Sequence, residues 1–189
     1  MSVNDYRFRS IHDMEADKFD RFTRSVTTLD WHERAVHEGF LYTASYEKTG
    51  LSNNGTIDIL LQTPSEGHPH LESIDYSTDG GPITLEIFEG STVSSIGTEI
   101  TSINRNRCST IDSEIIISHT PTIIDTDTSL VKARSPVAVR DSFNTGGELA
   151  LHCDQNYLIR VTNKSGGSRQ VDLQISWCEV DWRKAVSCG

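Results

Sequence analysis

The chain has 189 residues, 35% of them hydrophobic, and carries 17 Lys/Arg against 27 Asp/Glu for a net charge of −10. Its longest wholly apolar runs are a few residues, such as 115–117, far short of the ~20 that a membrane helix needs. So acidic a chain repels phosphate backbones, which excludes nucleic acid as a partner.

The first 36 residues hold six Lys/Arg and seven Asp/Glu, which leaves 11 and 20, a net −9, to the rest. The opening is polar and charged where a signal peptide needs an apolar run, so the chain is expected to be made and kept in a cytoplasm. Met14, Phe19, Phe22 and Val26 recur at roughly helical spacing behind Asp13 as a cap, which predicts a helix of about three turns. An isolated helix that short is marginal in water and needs a surface to dock on. Tyr6, Phe8, Phe19, Phe22 and Trp31 are the apolar anchors, and the surface is either the chain's own body or a neighbouring subunit. The expected organisation is an arm at 1–36, a β-sandwich at 37–183 and a tail at 184–189.

From His37 onward the pattern is one strand after another. Phe40, Tyr42, Ala44 and Tyr46 share one face of a first strand, as period-two geometry requires. Asn54-Gly55 suits a tight hairpin turn and predicts that this strand pairs with the next, 56–62. Further strands are expected at 71–77, 82–88, 97–103, 114–119, 130–138, 148–153, 157–162 and 171–179. Spacings near the ~8–12 residues of all-β folds, with one polar face on nearly every strand, predict an antiparallel two-sheet β-sandwich of jelly-roll-like kind with a short N-terminal helical or extended arm.

Cys108, Cys153, Cys178 and Cys188 show no CxxC spacing and read as free thiols, with Cys153 and Cys178 as small residues of strands. Asn54-Gly55-Thr56 and Asn163-Lys164-Ser165 match the glycosylation sequon but read as turns.

The common nucleophile-elbow, phosphate-loop, dinucleotide and HExxH motifs are absent, and no catalytic residue is assigned. His68 and His70 are spaced to share a metal from one strand face, with His37, His119 or His152 as a third ligand, but Pro69 between them suggests a loop or edge with two solvated histidines. No metal or cofactor is therefore expected. Asp125 and Asp127 read as a solvated turn rather than a calcium loop. Glu86 and Glu89 are the nearest carboxylates for glycoside chemistry, and Tyr76, Tyr157, Trp177 and Trp182 are the aromatics a sugar platform would use.

Taken in order, His37-Glu38-Gly39, the stretch 61–64 followed by His68, the stretch 85–90 running to Gly97-Thr98, Asn104-Arg105-Asn106-Arg107, the stretch 157–163, and Trp177-Cys178-Glu179 resemble accessory head proteins of tailed bacteriophages, the decoration or cement proteins. The resemblance covers about 37–180 and leaves the arm outside it. It implies a non-enzymatic β-sandwich on the outer surface of an icosahedral capsid, often a trimer, with the major capsid protein and copies of itself as partners. It also implies no membrane, no nucleic acid and no small-molecule substrate. On that expectation the arm aromatics bind the capsid or a neighbour, and Arg105 and Arg107 form a polar contact loop. The alternatives are a phage tail or fibre module that recognises carbohydrate and a sandwich-fold metalloenzyme or glycan-active enzyme.

Overall fold

A computed structural model of the chain describes residues 31–135 and 140–180. The arm helix expected over Met14–Val26 and the tail at 184–189 lie outside the described residues. A separate unit begins at Ala35 and contains all the strands.

Four long strands come first: β1 (Leu41–Leu51), β2 (Thr56–Gln62), β3 (His68–Thr78) and β4 (Ile83–Glu89). Five short ones follow: β5 (Thr92–Ser95), β6 (Thr98–Glu99), β7 (Ile103–Asn104), β8 (Ile116–His119) and β9 (Thr122–Asp125). Four long strands complete the body: β10 (Thr128–Ser135), β11 (Arg140–Ala150), β12 (Asn156–Asn163) and β13 (Arg169–Val180). The long strands pair antiparallel as β1 with β13, β2 with β12, β3 with β11 and β4 with β10. This is one long hairpin of four strand pairs folded across itself, so that β13 also meets β3 and β12 also meets β4. Its sheets are β11-β3-β13-β1 and β10-β4-β12-β2, the connectivity of a jelly roll.

The segment between β4 and β10 is an insertion at the tip of that hairpin. It extends both sheets: β7 adds beside β1, β8 beside β2 and β6 beside β8, while β5 and β9 form a ribbon of their own. The stretch 97–103, expected as one strand, is therefore two bridges on opposite sheets. Ile100 donates to Ile117 O at 2.8 Å as the chain passes between them. β7 covers Tyr42 and Thr43 of β1 and β8 covers residues 59–62 of β2, so part of each open edge is paired.

The core lies between the sheets. Ile83, Leu85 and Ile87 of β4 and Tyr157, Ile159 and Val161 of β12 face Val171, Leu173, Ile175 and Trp177 of β13, all at 3% exposure or less. Each such aliphatic side chain stabilises the fold by about 1.5–3 kcal/mol. In β3 the buried positions are Pro69, Leu71, Ile74, Tyr76 and Thr78, with a three-residue step between Leu71 and Ile74. The pairing with β13 slips by one residue beside Ser176 and Trp177, and this bulge returns Leu71 to the inner face. Tyr42 stacks on Trp177 at 6.0 Å.

The expected hairpin between β1 and β2 is not formed, because these strands belong to opposite sheets. Asn54, at φ 61, does turn the chain, with Gly55 N–H donating to Ser52 O at 2.9 Å. The exit direction is set by Asn163, distant in sequence but packed against the turn and 1% exposed. Its amide N–H groups reach Leu51 O at 2.8 Å, Ser52 O at 3.2 Å and Gly167 O at 2.8 Å, and its backbone bonds to Asn54 and Gly55. The turn is thus a strut from one sheet to the other.

A helix unforeseen in the sequence, α1 (Trp31–Glu38), precedes β1 and crosses the expected boundary at 36. Its end is a Schellman cap: Gly39 N–H donates to Val36 O at 3.1 Å and Phe40 N–H to Ala35 O at 2.9 Å, with Gly39 at φ +79. Ala35, Phe40 and Leu41 bury Cys178 in a second small cluster on the outer side of β13.

Candidate functional site

The expected polar contact loop is the best-built exposed feature of the insertion. In Asn104-Arg105-Asn106-Arg107 the asparagines are half-buried and the arginines exposed. Asn104 Nδ2 donates to Gly39 O at 2.8 Å and to Ile111 O at 2.9 Å, while its Oδ1 accepts from Asn106 N–H at 2.9 Å. Asn106 Nδ2 donates to His37 O at 2.8 Å and its Oδ1 accepts from Cys108 N–H at 3.0 Å. Ser109 Oγ accepts from Ile111 N–H at 3.1 Å. The two amides therefore satisfy carbonyls left over at the end of α1 and fix the loop by side-chain turns.

Gly39 permits the approach. A Cβ there would lie 2.5 Å from Ser109 Oγ and 2.8 Å from its Cβ. Arg105 N–H also donates to Leu41 O at 2.9 Å, tying the loop to β1. Ile103, at 45% exposure, and Ile111, at 39%, stand at the two ends of this loop. Five of the six large exposed hydrophobics among the described residues, these two with Ile96, Ile116 and Ile124, fall in the insertion. Two cations and two isoleucines on a braced loop can bind an acidic surface with an apolar centre, with little ordering left to oppose association.

A second polar constellation closes the insertion onto β13. Glu179 accepts from Trp177 Nε1 at 2.7 Å, Ser113 Oγ at 2.5 Å and Glu114 N–H at 2.7 Å. Burial, then the nearby Glu179 carboxylate, raises the Tyr42 phenol above its ordinary value of 10.0. This is a clamp, since Trp177 and Tyr42 are core residues.

The other expected site residues are dispersed. Tyr6, Phe8, Phe19 and Phe22 lie outside the described residues, and Trp31 opens α1. His68 and His70 begin β3, where they pair with Val180 and Cys178. Pro69 is thus at the start of an inner strand, correcting the loop-or-edge expectation. A proline is tolerated there, and Leu151 N–H donates to its carbonyl at 2.8 Å. Among the described residues no group of three or more His, Cys, Asp or Glu is placed to hold a metal ion.

Glu86 and Glu89 are three apart on β4 and so face opposite sides of its sheet, unlike a pair flanking one bond. Glu89 accepts from the Tyr157 hydroxyl at 2.6 Å. Tyr76, Tyr157 and Trp177 are 5%, 2% and 0% exposed, so these three are core rather than a sugar platform; Trp182 lies outside the described residues. Cys153, expected in a strand, follows β11, which stops at Ala150, and its thiol donates to Gly67 O at 3.1 Å. Cys108, Cys153 and Cys178 are free thiols.

No model of a known protein family and no curated protein matches the chain.

Proposed function

We propose that this chain is a non-enzymatic structural protein that binds the outer surface of a bacteriophage capsid and stabilises capsomer junctions. Its partners are the major capsid protein and copies of itself in a homotrimer, and it is made in the host cytoplasm. The observation that carries the reading is the braced Ile103–Ile111 loop, which presents Arg105 and Arg107 with two exposed isoleucines on an otherwise acidic jelly roll. Such a loop engages a fixed partner surface without a folding step. The arm aromatics Tyr6, Phe8, Phe19, Phe22 and Trp31 supply the second grip. A protein that binds the assembled shell more tightly than free subunits stabilises it by mass action, and many copies multiply the effect.

The test is imaging of particles incubated with the purified chain. The expected result is ordered density outside the shell at on the order of hundreds of copies per particle, with loss of decoration when residues 1–30 are deleted. Density confined to the tail, at tens of copies or fewer, selects the fibre alternative instead.

A further inference from the structure

A second candidate site lies where β2 and β4 end and β12 begins. A cavity of about 400 Å³ is lined there by Gln62, Thr63, Ser91, Asp154, Gln155 and Asn156, among others. Its walls are held by their own bonds. Gln62 Nε2 donates to Asn156 Oδ1 at 3.1 Å, and Asn156 Nδ2 donates to Ser91 O at 3.1 Å. The Thr63 hydroxyl donates to His152 O at 2.7 Å and accepts from Gln155 N–H at 2.9 Å. At this wall the Ser91 hydroxyl is buried without a hydrogen-bond partner, its residue 2% exposed. A buried hydroxyl left unmatched is costly unless a ligand or ordered molecule meets it.

We infer that this cavity binds a neutral, hydroxyl-rich ligand, a mono- or oligosaccharide unit. Amides and hydroxyls offer both donors and acceptors, as each sugar hydroxyl requires. Asp154 adds a carboxylate that accepts from two adjacent hydroxyls, and it disfavours phosphates and acidic sugars. The lining holds no Lys or Arg, and no set of three metal-ligating side chains is present among the described residues. Without an aromatic platform, the affinity is expected in about the millimolar range. The site shares no residue with the Ile103–Ile111 loop and stands independently of the capsid reading.

The test is a titration of the isotope-labelled full chain with glucose, galactose, N-acetylglucosamine and their β-linked disaccharides, followed by amide NMR. At least one sugar should move the Gln62, Ser91, Gln155 and Asn156 signals together. Gln155→Ala, at an exposed position, should weaken that sugar about tenfold while leaving the rest of the spectrum unchanged. Gln62→Ala gives a second, independent reading of the same loss. The inference is overturned if none of these sugars moves the cavity signals, if both variants bind as the parent does, or if inorganic phosphate or calcium chloride moves the same signals where sugars do not.

Discussion

The phenol of Tyr157, 2% exposed, sits between a donor and an acceptor. It accepts from His152 N–H at 2.8 Å and donates to Glu89 Oε1 at 2.6 Å. Burial, reinforced by the bond to Glu89, raises its pKa above the ordinary 10.0, as burial does for Tyr42. Folding therefore holds protons on both phenols that the unfolded chain releases above about pH 10. With more protons bound in the folded state, the slope of stability against pH is negative there. The contribution is fully present below the unfolded value and fades as pH rises toward the folded ones. Urea midpoints should accordingly hold up to about pH 9 and fall as pH rises past about 10. Tyr157→Phe should lower stability by about 1–3 kcal/mol at neutral pH, through loss of the bonds to His152 N–H and Glu89, and should flatten the alkaline slope. An unchanged slope in the variant would contradict this account.

Strand alternation was legible wherever one face is core and the other solvent, and β2 runs over the expected 56–62. Strand pairing was less so. Asn54-Gly55 announces a turn, yet a local signal cannot say which sheet receives the next strand. That choice rests on Asn163, far along the chain, whose amide holds three carbonyls of two loops. Its side chain also fixes its own loop, as Oδ1 accepts from Ser165 N–H at 2.9 Å. Asn163→Asp should be worse than Asn163→Ala, because a carboxylate there faces carbonyl oxygens at donor distance. The aspartate should cost more than about 2 kcal/mol, a fall in Tm of about 5–10 °C, measured by thermal unfolding near neutral pH. Equal Tm values for the two variants would show that the amide is not the strut. Helix α1 escaped the sequence reading for a related reason. Eight residues with little apolar periodicity are held by context: Ala35 packs with Phe40, Leu41 and Cys178, Gly39 closes the end, and Asn104 and Asn106 take up Gly39 O and His37 O.

At the scale of the whole molecule, the segment between β4 and β10 at the tip of the folded-over hairpin also feeds the core, through Ile115 and Ile117 at 2% and 1% exposure. That segment spends part of its length on closing sheet edges with β6, β7 and β8, and part on display. The arginines of the candidate site were legible as residues, but their bracing was not, since the asparagines cap a helix that the sequence did not announce. The buried state of Tyr76, Tyr157 and Trp177 was equally hidden, because alternation places an aromatic on a face without saying which face is inner. On the proposed capsid surface, the two arginines act within a body that is otherwise net acidic, so they must meet acidic groups at short range. Attachment should therefore weaken as salt rises, over the range where the screening length falls below about 10 Å. Arg105→Glu combined with Arg107→Glu should reduce the association rate with purified shells by about 10-fold or more and remove most of the salt dependence. Ile103→Ser with Ile111→Ser should instead speed dissociation and leave the salt dependence in place. Sedimentation of shells with labelled chain, across a salt series and for both double variants, separates these outcomes. A charge-reversed loop that binds with parental rate and salt response would remove the loop from the contact and leave the arm to carry it.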